Sequence, residues 1–218
     1  MAAPGVCAAD WQWPAQMALG GFALTGVSGS VKADGSGGAT GTLQIPNLGN
    51  TAIKLTRSAR GEIAGRASIN TRLVRGDFTL SNNGLRGSGT IDCSPRWIGS
   101  SAISISPQGE TSGNGRMDLG RLSATVDFSA SNSSCSVSGS APVSAKIDTS
   151  VATYKFDGRL VLVGGSGRMS GTLSGRVERT SKLASQVTTF NIPNTSVDMS
   201  NGQCSINVGG VSVTFAVF

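Results

Sequence analysis

A chain of 218 residues with 38% hydrophobic and 5% aromatic residues has the length for one large β domain or two small ones, with a core drawn from Val, Ile, Leu and Ala. Eighteen Lys and Arg against twelve Asp and Glu give a net charge of +6 without a run of five like charges, so the cations read as solvated strand faces or as a surface for an anionic partner. Histidine is absent, which removes the commonest general base, the commonest metal ligand and the partner of Ser or Cys in ordinary hydrolase triads.

Residues 1–21 read as an N-terminal closing segment. Trp11, Trp13 and Pro14 stand together in an aromatic-poor chain, and Met17, Leu19 and Phe22 lead into the first strand. The segment lacks a basic stretch followed by an apolar run, so a signal or membrane anchor is expected to be absent from this chain as written. No stretch of about 18 apolar residues exists to cross a membrane as a helix.

From residue 22 onward, strand candidates follow one another closely. They cover 22–32, 39–45, 52–56, 62–70, 77–81, 85–93 and 102–106, then 116–129, 135–147, 153–163, 167–179, 186–192, 195–200 and 203–218. The period-two signal is clearest where Tyr154, Phe156, Leu160 and Leu162, then Met169, Leu173 and Val177, alternate with polar residues and Gly. Asp34-Gly35, Asn82-Asn83-Gly84, Gly113-Asn114-Gly115, Gly164-Gly165 and Asn201-Gly202 supply the positive φ that tight hairpins need. The fold expected is all-β: an antiparallel hairpin meander forming a large curved sheet, a sandwich or a β-groove, as a single domain over 22–218 with a subdivision allowed near 129–134. Loose internal echoes fit repeated hairpins, such as Ile45-Pro46-Asn47 with Ile192-Pro193-Asn194, and Gly115-Arg116-Met117 with Gly167-Arg168-Met169.

Cys7, Cys93, Cys135 and Cys204 lie far apart and never as CxxC, which argues against zinc and thioredoxin-type chemistry. All four are disulfide candidates in an oxidising compartment, with connectivity open among three pairings, and free core thiols are the alternative. Glu62, Glu110 and Glu178 are isolated, and Asp77, Asp92, Asp127 and Asp157 sit in strand or turn contexts, so no carboxylate pair for glycoside chemistry is evident. The Gly-rich stretches at 35–38 and 164–167 lack the Lys-Ser/Thr of a phosphate loop. No catalytic residue, metal ligand or cofactor is expected. Nucleic acid is the weakest candidate partner, because the interleaved aromatics of a stacking platform are missing.

At the C-terminus Val211, Val213, Phe215 and Val217 alternate up to Phe218. This pattern resembles both the last strand of outer-membrane barrels and the final strand of fibre subunits that pair edge to edge; a buried closing strand is the favoured reading, and the same residues are a candidate assembly strand.

The segments 24–31, 85–91 and 169–177, written Leu-Thr-Gly-Val-Ser-Gly-Ser-Val, Leu-Arg-Gly-Ser-Gly-Thr-Ile and Met-Ser-Gly-Thr-Leu-Ser-Gly-Arg-Val, share one style of apolar-Gly repeat. In this the chain resembles periplasmic β-repeat proteins of the AsmA and TamB kind and is similar to the N component of type II secretion systems. The resemblance implies a curved sheet with an apolar groove and a role in envelope assembly or lipid handling. The function expected is therefore a non-enzymatic, periplasmic or secreted β-protein acting as a structural scaffold or assembly component of a bacterial envelope or surface structure. Other protein subunits are its expected partners, with lipid or an anionic envelope surface as a further one. The alternatives are a β-groove for lipid or another apolar ligand, and a virion or fibre subunit assembling by strand exchange.

Overall fold

The computed structural model describes residues 11–93, 97–120, 122–131, 134–165, 168–199, 203–208 and 211–216. Every regular element among them is a strand: β1 (Gln16–Leu19), β2 (Phe22–Val31), β3 (Gly37–Ile45), β4 (Gly49–Arg57), β5 (Ile63–Asn70), β6 (Val74–Ser81), β7 (Gly84–Asp92) and β8 (Trp97–Ile105). There follow β9 (Thr111–Asp118), β10 (Ser123–Ser131), β11 (Ser134–Asp148), β12 (Ala152–Gly165), β13 (Arg168–Ser181), β14 (Val187–Val197), β15 (Gln203–Val208) and β16 (Val211–Ala216). Strands β1 to β14 are hydrogen-bonded in sequence order as one antiparallel meander, and β15 with β16 forms a separate hairpin.

Alternation produces this arrangement because each strand sends every second side chain to one face, and that face carries the apolar residues. In β4, Ile53 and Leu55 are buried while Ala52, Lys54 and Thr56 are exposed, and in β10 Ala124, Val126, Phe128 and Ala130 are buried between exposed neighbours.

The structure corrects several expected boundaries. Gly113-Asn114-Gly115, expected as a turn, lies inside β9. A Cβ on Gly115 would stand 2.4 Å from the Gly99 carbonyl oxygen, so this glycine permits close approach of backbones instead of reversing the chain. The expected strand over 116–129 is two strands, because Leu119 N–H bonds the Leu122 carbonyl at 2.9 Å and Gly120 takes φ 88° with its N–H on Asp118 Oδ1. Conversely, 186–192 and 195–200 merge into β14 across a bulge opposite Leu173 and Gly175, with Pro193 and Asn194 in the strand. Its echo at Pro46 and Asn47 is a true turn, with Asn47 at φ 63°. The last expected strand, 203–218, is the β15–β16 hairpin.

The chain packs as two compact units. Unit 1 comprises Met1–Ile91, Ser100–Gly113 and Ala130–Asn132; unit 2 comprises Asp92–Gly99, Asn114–Ser129 and Ser133–Phe218. Within unit 1 the β3–β4 turn meets the β8–β9 turn: Asn47 Nδ2 donates to the Gln108 carbonyl at 3.3 Å, and Gly109, at φ 83°, lies so close to Pro46 that a Cβ would stand 1.8 Å from its carbonyl oxygen. The residues after Pro14 form β1, whose Leu19 is buried as a closing strand requires, and Trp13 is buried with its Nε1 donating to the Ser30 carbonyl at 3.4 Å. Trp11 meets Trp13 edge to face at 4.9 Å, and the Arg57 guanidinium covers the Trp11 ring at 4.6 Å, so the tryptophans are used in packing within this unit.

Thr111 is fully buried in unit 1 and its hydroxyl has no hydrogen-bond partner. An unsatisfied buried hydroxyl costs free energy that an apolar isostere does not incur. Thr111→Val is therefore expected to raise stability by about 1 kcal/mol, read as a higher urea midpoint at unchanged slope.

In unit 2, β12 pairs with β11 on one side and β13 on the other along nearly its whole length. Tyr154, Phe156, Leu160, Leu162, Leu173 and Val177 are all buried, and Met169 is half-buried. Gly158 and Gly175 face each other across the β12–β13 ladder, and both lie under the Phe156 ring, whose Cζ would be 2.3 Å and 3.0 Å from Cβ atoms built on them. The glycines in this alternating pattern make room for an aromatic ring.

Candidate functional site

The outward positions of β2 to β7 line up in one transverse row. Ser28 pairs with Thr40, Thr40 with Lys54, Lys54 with Arg66, Arg66 with Thr79, and Thr79 with Arg86. All six side chains are exposed. Lys54 and Arg66 are directly opposed, and directly opposed like charges on one sheet face repel.

The same pair marks the end of a ladder. Strands β4 and β5 share only four residue pairs, from Arg57 with Ile63 to Lys54 with Arg66, and beyond them β4 has no ladder partner in β5. A groove of about 710 Å³ opens there on the solvent side. Ile53, Ala67 and Phe78, all buried, form its base, and Thr40, Lys54, Arg66 and Thr79 of the row lie along it. Thr51 Oγ1 donates to the Ser68 carbonyl at 3.0 Å and Ser68 Oγ donates to Asp77 Oδ1 at 2.5 Å, so the one carboxylate of the groove is engaged by a hydroxyl. Lys54, Arg66 and Arg86 make no hydrogen bond or ion pair among the described residues.

The outer face of unit 2 is built differently. Lys155 stands opposite Glu178, Asp157 opposite Arg176, and Lys146, which faces Lys155, is bridged to Asp148 at 2.9 Å. The Thr153 hydroxyl, followed by Lys146, holds the Asp148 carboxyl below its ordinary range. Here Lys155, Arg176 and Lys146 each have an acid opposite or bridged to them, whereas Lys54 and Arg66 have only each other directly opposite.

Unit 2 also carries exposed apolar side chains. Val161 and Val163 lie on the outer face of β12, while Val151, Val187 and the 87% exposed Leu183 cluster at the β11–β12 and β13–β14 turns. Lys182 joins these turns, its N–H on the Val151 carbonyl at 2.9 Å and its Nζ on the Thr149 carbonyl at 2.6 Å.

Of the four disulfide candidates, Cys93 and Cys135 are bonded within unit 2, with their Cα atoms 5.3 Å apart. Cys204 is buried in β15 with no disulfide partner among the described residues, and burial raises its thiol pKa. Cys7 lies outside the described residues. Of the candidate assembly strand, Val211, Val213 and Phe215 are in β16 and pair with Val208, Ile206 and Cys204 of β15, whereas Val217 and Phe218 lie outside the described residues.

Among the described residues the inward Leu, Val and Ile side chains of β2 to β7 are buried or half-buried, and the groove beside β4 and β5 is flanked by exposed Lys54 and Arg66. Among the described residues no group of three or more Cys, Asp or Glu is placed to hold a metal ion. Sequence reading found the scattered cations but not their alignment. The only signal was the outward parity of Lys54, Arg66 and Arg86 within their own strands. No family model, no curated protein and no solved structure matches the chain.

Proposed function

We propose that this chain is a non-enzymatic extracytoplasmic β-protein that acts as a scaffold or assembly component of a bacterial envelope or surface structure, joining a further subunit by strand addition. The observation that carries this reading is the edge of β14. The hydrogen-bonded order of the large sheet ends at β14; β15 follows through the Asp198–Gln203 bridge and touches β14 without forming a ladder along it. Its stretch Val187-Thr188-Thr189-Phe190-Asn191-Ile192 is uncharged and rich in strand-forming residues, with Val187 55% exposed. An edge of this kind presents a row of free N–H and C=O groups to another chain, and native proteins ordinarily blunt it with charge. The Cys93–Cys135 disulfide is consistent with an oxidising, extracytoplasmic setting. The resemblance to AsmA- and TamB-like proteins supports the envelope context.

Sedimentation velocity over a range of protein concentrations tests the reading. The expected result is concentration-dependent association that Val187→Lys with Thr189→Lys abolishes while the circular dichroism spectrum is retained. Association that survives those changes and disappears on removing residues 211–218 would move the contact to β16, favouring a fibre-type subunit. A chain monomeric at every concentration would overturn the proposal.

A further inference from the structure

We infer that the groove between β4 and β5 binds an acidic oligosaccharide, with Lys54 and Arg66 receiving its carboxylates. The inference stands independently of the β14 edge.

Three observations lead to it. First, Lys54 and Arg66 oppose each other directly along the groove, and neither makes an ion pair among the described residues, the groove's one carboxylate, Asp77, being bonded to the Ser68 hydroxyl. Folding gains nothing from that juxtaposition, and an anion seated between the two would relieve it. Departures from local rules without a structural compensation are expected at functional positions.

Second, the charge is extended. Lys54, Arg66 and Arg86 occupy one row across β4 to β7. Three strand spacings of about 4.8 Å make a track of about 14 Å. One small anion cannot touch all of it, whereas a polymer with a charge on successive units can.

Third, the remaining chemistry suits sugar hydroxyls. Thr40 and Thr79 flank the cations in the row, their hydroxyls carry no hydrogen bond among the described residues, and each can both donate and accept. A lipid chain would need an open apolar surface, but Ile53, Ala67 and Phe78 are at most 5% exposed. Nucleic acid would need exposed aromatics for stacking, and the one aromatic of the groove, Phe78, is in the core.

Calorimetric titration at low ionic strength with an oligogalacturonate of about six rings, which carries one carboxylate per ring, provides the test, with an uncharged maltooligosaccharide of equal length and inorganic polyphosphate as comparisons. The expected result is binding of the acidic sugar, none of the neutral one, and loss of affinity with rising salt. The variant Lys54→Gln/Arg66→Gln is expected to bind at least about tenfold more weakly. Its thermal midpoint should be equal to or above that of the parent, since the change removes a repulsion and leaves the core intact. Equal affinity of variant and parent, or no preference for the acidic over the neutral sugar, would overturn the inference. So would tighter binding of polyphosphate than of oligogalacturonate, which would assign the row to a phosphate polymer.

Discussion

Phe156→Ala is expected to lower the unfolding free energy by about 3–5 kcal/mol, read from urea transitions followed by circular dichroism. Phe156 is 4% exposed in β12, with Ala145 of β11 opposite it on one side and Val177 of β13 on the other. Its ring lies over Gly158 and Gly175, which have no side chains to move into the vacated space. The cavity term should therefore be near its upper range, because cost grows with the volume that the surroundings cannot refill. A second measurement isolates the cause. Gly158→Ala alone meets two obstacles, since the new Cβ would stand 2.3 Å from Phe156 Cζ and 2.3 Å from the Ser174 carbonyl oxygen. In the double variant the clash with the ring is removed and the one with Ser174 remains, so the combined loss should fall short of the sum of the two single losses. Strictly additive losses, or a loss below about 1 kcal/mol for Phe156→Ala, would show that the ring does not fill this site.

Replacing Cys93 and Cys135 together by Ala is expected to cost roughly 4 kcal/mol, the chain-entropy value for closing a loop of this length. The sequence separation is 42 residues, and β8, β9 and β10 all lie between the two cysteines. Without the cross-link the unfolded chain regains the freedom of that whole segment, while the native state loses only two small buried sulfurs. For a chain of this size, each kcal/mol shifts the melting temperature by about 2–4 °C, so a drop on the order of 10 °C is expected. The parent protein in reducing buffer should melt at the same temperature as the variant. A shift below about 2 °C would mean that the strand pairing of 94–134 is self-sufficient.

The periodic segments were legible before any coordinates. Tyr154 to Val177 alternate on paper and are buried on one face in the structure because a strand's side-chain period is two and depends on nothing distant. Turns at Asp34-Gly35 and Asn82-Asn83-Gly84 were legible for the same local reason, as Gly35 and Gly84 adopt φ 80° and 96°. Gly115 misled because glycine serves two purposes, reversal of a chain and close approach of two backbones, and only the neighbouring Gly99 carbonyl distinguishes them. The two-strand division of 116–129 was missed because Leu119 and Leu122, both apolar, flank a turn that leaves the apolar pattern intact.

The candidate site was less legible than the fold. Lys54, Arg66 and Arg86 each point outward by the parity of their own strand, which the sequence states. Their alignment depends on register, and register is set by turn lengths and bulges accumulated over β4 to β7. The groove exists because the β4–β5 ladder stops after four pairs, and no residue in either strand announces that end. The choice of Cys135 as the partner of Cys93 is likewise a matter of distance after folding. By itself the sequence determined an all-β chain, its inward and outward faces and most of its reversals, because these follow from interactions within a few residues. Only the tertiary structure decided the register of neighbouring strands, which cations oppose one another and where the β4–β5 ladder stops, because each depends on pairing between residues far apart in the chain.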